Sequence, residues 1–292
     1  MPGTKAVSIR SRRVGIGFAA GSALVLGAAL APAVRAGAEV TCTFNSNGVL
    51  RVDMGATTGA TLSRDAAGNI DVSPWTCSHP NAPAPTVTNT RQIKVFGDDG
   101  FQSVMIRLAN GGFSPGLGNE RGSSDEIEMS IILGANDNDN IIVIGSSGPD
   151  HVRLGTKSSG GSPLNLPIPR INLNADESTG IDDDVTHLGV EKISVLGEAG
   201  RDNLSGEGGA GTGGPSAISL FVRGDEGGDT LVGGTSNDVV EGSAGADTIK
   251  GGQGADELDA SDGVAGNDAS FGGTGNDECV SDAGDAETSC EI

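Results

Sequence analysis

Aspartates recur at a fixed interval near the C-terminal end of the chain. Nine-residue units of the form Gly-x-x-(Gly/Ser)-x-Asp-x-U-x, in which U is usually apolar, begin at Gly224, Gly233, Gly242, Gly251, Gly263 and Gly272. Their sixth positions are Asp229, Asp238, Asp247, Asp256, Asp268 and Asp277, and a three-residue insertion at 260–262 is the one break in the spacing. Calcium takes about six to eight oxygen ligands, which carboxylates and the carbonyls of tight turns can supply. The spacing therefore predicts calcium binding.

Each unit must provide a turn and a short strand to position its aspartate. Glycine reaches positive φ without a Cβ penalty, so the first six residues can turn tightly. The last three are long enough only for a short strand whose middle side chain points inward. Two units then make one coil, and we expect Asp229 to stack on Asp247 and Asp238 on Asp256. The predicted inward stack is Leu231, Val240, Ile249 and Leu258, followed by Ser270 and Cys279.

Stacking these carboxylates has an electrostatic cost that a cation would reverse. Neighbouring strands lie ~4.8 Å apart, and two like charges near that distance repel by roughly 1 kcal/mol in water and several-fold more at a protein surface. If free calcium exceeds the dissociation constant ~100-fold, each site adds about 2.7 kcal/mol to folding. We therefore expect Ca²⁺ to fold or stabilise the repeat.

Two of the units carry a resemblance to a known family. Residues 233–241, GGTSNDVVE, and 272–278, GGTGNDE, resemble the hemolysin-type calcium-binding (RTX) repeat, and the resemblance extends over 224–280. It implies a right-handed parallel β-roll with calcium between successive turns, ligated by the aspartates named above and by turn carbonyls. The chain departs from the family in its N-terminal signal and its cysteines.

Looser copies of the repeat occur upstream. Residues 134–142, 145–153 and 197–205 return to the register with Asp139, Asp150 and Asp202, and Asp202 joins the candidate calcium ligands. With no helical periodicity after the first 38 residues, these copies favour an all-β fold, a right-handed parallel β-helix or β-roll solenoid. We divide it into a β-rich N-terminal cap region (39–96), a degenerate parallel solenoid (97–223) and an RTX β-roll with a disulfide cap (224–292). Residues 155–169 and 206–215 are predicted surface excursions, and a separate small β domain upstream is the alternative.

The first 38 residues are typical of a secretory signal peptide. Lys5 and three arginines precede an apolar run over 14–30, and Ala36-Gly37-Ala38 offers a cleavage site. The prediction is therefore a secreted or extracellular protein, with attachment to the cell surface left open. A membrane anchor is the alternative reading of the run, and the export route, general or twin-arginine, stays undecided. No later segment is predicted to span a membrane.

Charge and cysteine content limit the partners. The formal net charge is −21, with 39 acidic residues against 18 basic ones, which disfavours nucleic acid. Calcium ions are the predicted partners. A second predicted partner is a polysaccharide or a protein at the cell surface or in the extracellular space. Four cysteines in an exported chain imply disulfides. Of the three possible pairings, sequence proximity favours Cys42 with Cys77 and Cys279 with Cys290; scattered histidines and the lack of C-x-x-C disfavour zinc.

No catalytic residues are predicted. The chain lacks G-x-S-x-G and H-E-x-x-H, and the best candidate is the cluster of Asp182, Asp183 and Asp184. A solvated turn explains that cluster more simply, and the chain has one Trp and no Tyr to stack on sugars. The predicted function is a calcium-binding, structural or surface-interacting repeat protein that is not an enzyme. The alternatives are an extracellular polysaccharide-active β-helix enzyme (lyase, epimerase or glycosidase) with a calcium-binding tail, and a disordered acidic tail.

Overall fold

The computed structural model describes residues 40–55, 58–114, 116–117, 126–134, 138–158, 167–173 and 183–291. They all fall in the unit Val34–Ile292, one of two into which chain contacts divide the protein. The predicted signal peptide at 1–38 lies outside the described residues. Across the described ranges every regular element is a β-strand, and no helix there is long and apolar enough to cross a membrane.

The strands follow one another at short intervals. In the first half they are β1 (Thr41–Phe44), β2 (Val49–Asp53), β3 (Gly59–Arg64), β4 (Ile70–Ser73), β5 (Gln92–Phe96), β6 (Ser103–Arg107), β7 (Glu128–Ile132), β8 (Asn140–Ile144), β9 (His151–Ser158), β10 (Pro167–Asn172), β11 (Val185–Leu188) and β12 (Lys192–Leu196). In the second half they are β13 (Ala199–Gly200), β14 (Asn203–Ser205), β15 (Gly214–Pro215), β16 (Ser219–Gly227), β17 (Thr230–Val232), β18 (Val239–Gly245), β19 (Thr248–Gln253), β20 (Glu257–Asp259), β21 (Ala269–Thr274), β22 (Glu278–Val280) and β23 (Ala286–Thr288).

These strands form two sheets whose neighbours are mostly parallel. One sheet, called sheet A, has the order β1-β2-β5-β7-β11-β10-β9-β14-β17-β19-β21-β23, with β15 beside β9. The other, called sheet B, has the order β22-β20-β18-β16-β12-β8-β6-β3-β4, with β13 beside β16. Both sheets run through the predicted boundaries at 96/97 and 223/224. In sheet A, β5 pairs with β7 and β14 with β17, and in sheet B, β3 pairs with β6 and β16 with β18.

From β16 onward consecutive strands alternate between the sheets, so that each pair of strands makes one coil. Val222 of β16 pairs with Val240 of β18, and Leu231 of β17 pairs with Ile249 of β19, 18 residues apart in both cases. The insertion at 260–262 lengthens one coil without shifting the register, since Ile249 pairs with Ser270. The all-β class and the two-strand coil predicted from the nonapeptide are therefore confirmed.

The core lies between the two sheets. Strand after strand buries alternate side chains, and Leu231, Val240, Ile249 and Leu258 are fully buried. Ser270 is also buried, and Cys279 is half-buried against the same core, so the predicted inward stack is confirmed. Burying a Leu or Ile side chain contributes about 1.5–3 kcal/mol. The apolar stack holds the coils together, and the turns that carry the aspartates lie at its sides.

One region differs from the prediction. The sequence predicts a surface excursion over 155–169, of which 159–166 lie outside the described residues. The flanking parts are strands instead, because β9 extends to Ser158 and pairs antiparallel with β10, which in turn pairs antiparallel with β11. Leu154 and Ile171 lie opposite each other in this pairing and are buried, so the hairpin adds apolar surface to the core. Part of the segment 206–215 also joins the sheet, because β15 pairs with β9.

Both ends of the described chain carry a disulfide. Cys42 is bonded to Cys77 and Cys279 to Cys290, which confirms the pairing favoured by sequence proximity. At the N-terminal end, β1 and β4 close sheets A and B with antiparallel strands. At the other end, β22 and β23 are the last parallel strands, and the Cys279–Cys290 bond ties β22 to the terminal segment.

Candidate metal centre

The predicted ligands are buried carboxylates at the ends of turns. Each stands just before a strand of the coil, and all are at most 5% exposed: Asp202, Asp229, Asp238, Asp247, Asp256, Asp268 and Asp277. Aspartate is seldom fully buried unless it is paired or bound to a cation. A row of buried aspartates therefore requires partners for its oxygens.

One oxygen of each aspartate accepts a hydrogen bond from the preceding coil. The backbone N–H of Asp229 donates to Oδ1 of Asp247, and that of Asp238 donates to Oδ1 of Asp256, both at 2.8 Å. The same bond joins the backbone N–H of Asp247 to Asp268 (2.8 Å) and that of Asp256 to Asp277 (3.0 Å). The predicted stacking of aspartates in successive coils is confirmed. We call this series of N–H to Oδ1 bonds the aspartate ladder.

The second carboxylate oxygen, Oδ2, has no hydrogen-bond partner in nearly every rung of the aspartate ladder. Among the predicted ligands, all of which lie in the described ranges, a buried Oδ2 without a hydrogen-bond partner belongs to Asp202, Asp229, Asp247, Asp256, Asp268 and Asp277. Asp238 is the exception, because its Oδ2 accepts the N–H of Gly234 at 2.5 Å. A buried acceptor without a partner costs about 1–3 kcal/mol, and more when it is charged. The fold thus repeats an oxygen suited to a cation in coil after coil.

Backbone oxygens lie beside these carboxylates. A Cβ added to Gly224 would stand 2.3 Å from Oδ2 of Asp229 and 2.8 Å from the carbonyl oxygen of Gly242 in the next coil. At Gly251 the corresponding distances are 2.4 Å to Oδ2 of Asp256 and 2.5 Å to the carbonyl of Gly272. In these two units the first glycine is therefore required for space, and a carboxylate and a carbonyl oxygen converge beside it; Gly263, the first glycine of a later unit, has nothing within 4 Å of an added Cβ. Both are oxygen types that Ca²⁺ accepts.

Carboxylates alone would not complete a calcium shell. Over the described ranges, no group of three or more His, Cys, Asp or Glu side chains is placed to hold a metal ion. A cation in these turns would therefore need carbonyl oxygens and water as well as Oδ2. Oδ1 of each aspartate already accepts an N–H, which leaves only Oδ2 for an ion. The sharing of one ion by aspartates of successive coils therefore stays a prediction.

Burial raises the pKa values of six of the ladder carboxylates. Loss of solvent is the largest cause throughout, and it raises the pKa of Asp202 to about 7 and those of Asp238 and Asp247 to about 6. The pKa values of Asp229, Asp256 and Asp268 rise for the same reason. Neighbouring carboxylates add to the effect, such as Asp229 beside Asp202. Ionising these groups in the folded protein is therefore unfavourable unless a positive charge is nearby.

The ladder extends beyond the residues chosen from the sequence. The N–H of Asp150 donates to Oδ1 of Asp202 at 2.8 Å, and that of Asp202 to Asp229, so this column begins upstream of the clear repeats. The second column runs through Asp238, Asp256 and Asp277, and it ends where the N–H of Asp277 donates to the carboxylate of Glu291 at 2.6 Å. Sequence reasoning placed Asp150 in register but did not select it as a ligand, and it missed Glu291, which lies outside the nonapeptide units.

The acidic cluster considered for catalysis has contacts within the fold. Asp182 lies outside the described residues. Asp183 forms an ion pair with Arg170, and both side chains are largely buried. Oδ2 of Asp184 accepts the N–H of Leu173 at 2.5 Å. The two described members therefore tie the strand β10 to the start of β11.

The coils and their turns are those of a nonapeptide-repeat protein. The repeats place buried carboxylate and carbonyl oxygens, which suit a cation, beside their turns. Residues 223–258 match the family model of the RTX calcium-binding nonapeptide repeat, in four copies. The RTX resemblance is thereby confirmed, and the chain contains calcium-binding repeats of this family. Comparisons with curated proteins and with solved structures returned no match. The units at Gly263 and Gly272 lie outside the matched stretch, although Asp268 and Asp277 continue its ladder.

Proposed function

We propose that this protein is a secreted calcium-binding β-roll whose coils wind as a right-handed parallel solenoid, with a structural or surface-interaction role and no catalytic one. The observation that carries the proposal is the buried, unpartnered Oδ2 in successive rungs of the ladder, among them Asp229, Asp247 and Asp256. Each of these oxygens lies against a glycine turn within the described chain. The proposed ligands are Oδ2 atoms, turn carbonyls and water.

Without a cation, the chain must bury carboxylates that have only one of two oxygens satisfied. Either they take up protons, as their raised pKa values allow, or the coils open to water. Bound calcium would supply the positive charge that keeps them ionised. The apolar stack of Leu231, Val240, Ile249 and Leu258 then closes, because the turns on either side no longer repel. Calcium binding and folding of the C-terminal coils are in this way one equilibrium.

An extracellular setting fits the rest of the chain. The predicted signal peptide would export it, and two disulfides are typical of oxidising compartments. Extracellular calcium modules operate with dissociation constants of about 10⁻⁴ to 10⁻³ M. A repeat of that affinity would stay unfolded at low calcium inside the cell and fold after export. The folded roll would present an acidic surface to a polysaccharide or protein partner.

The catalytic alternative gains no support from the acidic cluster. Asp183 and Asp184 contact Arg170 and the backbone of Leu173, which is a structural role. We therefore propose no reaction for this protein.

The test is a calcium titration of the chain after signal removal, followed by calorimetry and by far-ultraviolet circular dichroism. We expect several calcium ions to bind and β-structure to increase as they do. Magnesium serves as the matched control, because it demands octahedral geometry at about 2.1 Å and dehydrates reluctantly. Absence of calcium binding together with an unchanged spectrum would refute the proposal.

A further inference from the structure

A turn far upstream of the matched repeats has the layout of a repeat turn. In residues 97–105, Gly97 and Gly100 stand at the first and fourth positions, Gln102 at the sixth and the fully buried Val104 at the inward eighth. The sixth residue is a glutamine instead of an aspartate, which hides the unit from a search for the aspartate pattern. The turn leads into β6, as the repeat turns lead into their strands.

The backbone of Gln102 joins a ladder like that of the repeats. Its N–H donates to Oδ1 of Asp139 at 2.6 Å, which matches the 2.8 Å bond from Asp229 to Asp247. The N–H of Asp139 donates in turn to the carboxylate of Glu191 at 2.9 Å. These residues immediately precede β6, β8 and β12, which are neighbours in sheet B. The hydrogen-bond geometry of the calcium turns is thus repeated here.

Two buried oxygens at this place are unsatisfied. Gln102 and Asp139 are both fully buried, and Oε1 of Gln102 and Oδ2 of Asp139 have no hydrogen-bond partner within the described chain. The amide nitrogen of Gln102 donates to Oδ1 of Asp98 at 2.7 Å, which fixes the orientation of the amide. A Cβ on Gly97 would stand 2.4 Å from Oε1 of Gln102, close to the 2.3 Å between Gly224 and Oδ2 of Asp229. The glutamine oxygen therefore occupies the position of the aspartate oxygen in the repeats.

We propose that Oε1 of Gln102 and Oδ2 of Asp139 are ligands of a calcium ion bound beside the 97–102 turn, where the neighbouring strands β6 and β8 begin. Calcium accepts side-chain amide carbonyls as well as carboxylates. The remaining ligands would be carbonyl oxygens of the 97–102 turn and water. The inference rests on the proposed function, because it treats the repeat turns as calcium sites. The neutral glutamine leaves the site one negative charge short of a repeat site, so it binds calcium more weakly.

The site is tested by calcium calorimetry on the full chain and three single variants. Asp139→Asn should bind one calcium ion fewer than the unsubstituted protein, since Asn keeps the Oδ1 acceptor for the Gln102 N–H but loses the charged ligand. Gln102→Leu removes the Oε1 ligand with a side chain of similar size, and this variant should also bind one calcium ion fewer. Glu207→Gln removes the same charge from an exposed residue outside this turn and the ladder, and should leave the number of bound ions unchanged.

A fourth variant, Asp247→Asn, separates failure of this site from failure of the repeats. If Asp247→Asn lowers the number of bound ions while Asp139→Asn leaves it unchanged, the repeat sites stand and this site is refuted. If the unsubstituted chain binds no calcium, the proposed function fails with it. Gln102→Leu does not depend on the folding of Asp139→Asn, and an unchanged number of bound ions in that variant would also overturn the site.

Discussion

Alanine in place of Gly245 should destabilise the roll severely. This glycine has φ +147, and a Cβ there would lie 1.2 Å from the carbonyl oxygen of Gly227 and 2.4 Å from its carbonyl carbon. Gly227 and Gly245 are paired in β16 and β18, so neither can withdraw without separating two coils. A residue forced into glycine-only backbone space costs about 1–3 kcal/mol. With the clash added, we expect the free energy of unfolding to fall by about 4 kcal/mol, a large share of the 5–15 kcal/mol typical of proteins.

Two other glycines supply matched controls for this substitution. Gly263 has φ +85 but nothing within 4 Å of an added Cβ, so Gly263→Ala isolates the backbone cost, about 1–2 kcal/mol. Gly112 also faces open space and does not have a positive φ, so Gly112→Ala should change stability by less than about 0.5 kcal/mol. Urea denaturation in saturating calcium measures all three. Equal losses in Gly245→Ala and Gly263→Ala would refute the close stacking of these turns.

Three further predictions concern protons, the end of the ladder and the acidic cluster. The folded pKa values of Asp202 and Asp247, about 7 and 6, exceed the value of about 3.9 in unfolded chains. The calcium-free fold should therefore lose stability as pH rises from 4 to 7, and calcium binding at pH 6 should release protons. Calorimetry in two buffers of different ionisation enthalpy measures the release, and identical heats would contradict it. Glu291→Ala removes the acceptor of the Asp277 N–H and should speed hydrogen exchange of that amide, whereas Glu278→Ala, an exposed change, should not. Asp183→Asn should weaken the ion pair with Arg170 and lower the free energy of unfolding by about 2 kcal/mol; unchanged stability with loss of a polysaccharide-cleaving activity would favour the enzyme alternative.

Much of the structure of the C-terminal half could be predicted because its sequence repeats every nine residues. The nine-residue register fixed which aspartates meet, as Asp229 and Asp247 do, and which side chains point inward, such as Ile249. The insertion at 260–262 did not disturb this, because extra residues in a turn leave the strand pairing intact. The disulfides followed from proximity in sequence.

Non-periodic contacts could not be predicted in the same way. The antiparallel pairing of β9 with β10 places Leu154 opposite Ile171, and no sequence repeat predicts that pairing. Gln102 escaped notice because its type differs from aspartate, although its backbone N–H makes the same bond. Glu291 was missed because its role depends on where the terminal segment folds, which the Cys279–Cys290 bond helps to set.

The most direct test is a crystal structure of the chain grown with calcium. The proposal predicts an ion about 2.3–2.6 Å from Oδ2 of Asp229, Asp247 and Asp256, with turn carbonyls completing each shell. Well-ordered turns in saturating calcium whose Oδ2 atoms contact only water or protein would contradict it.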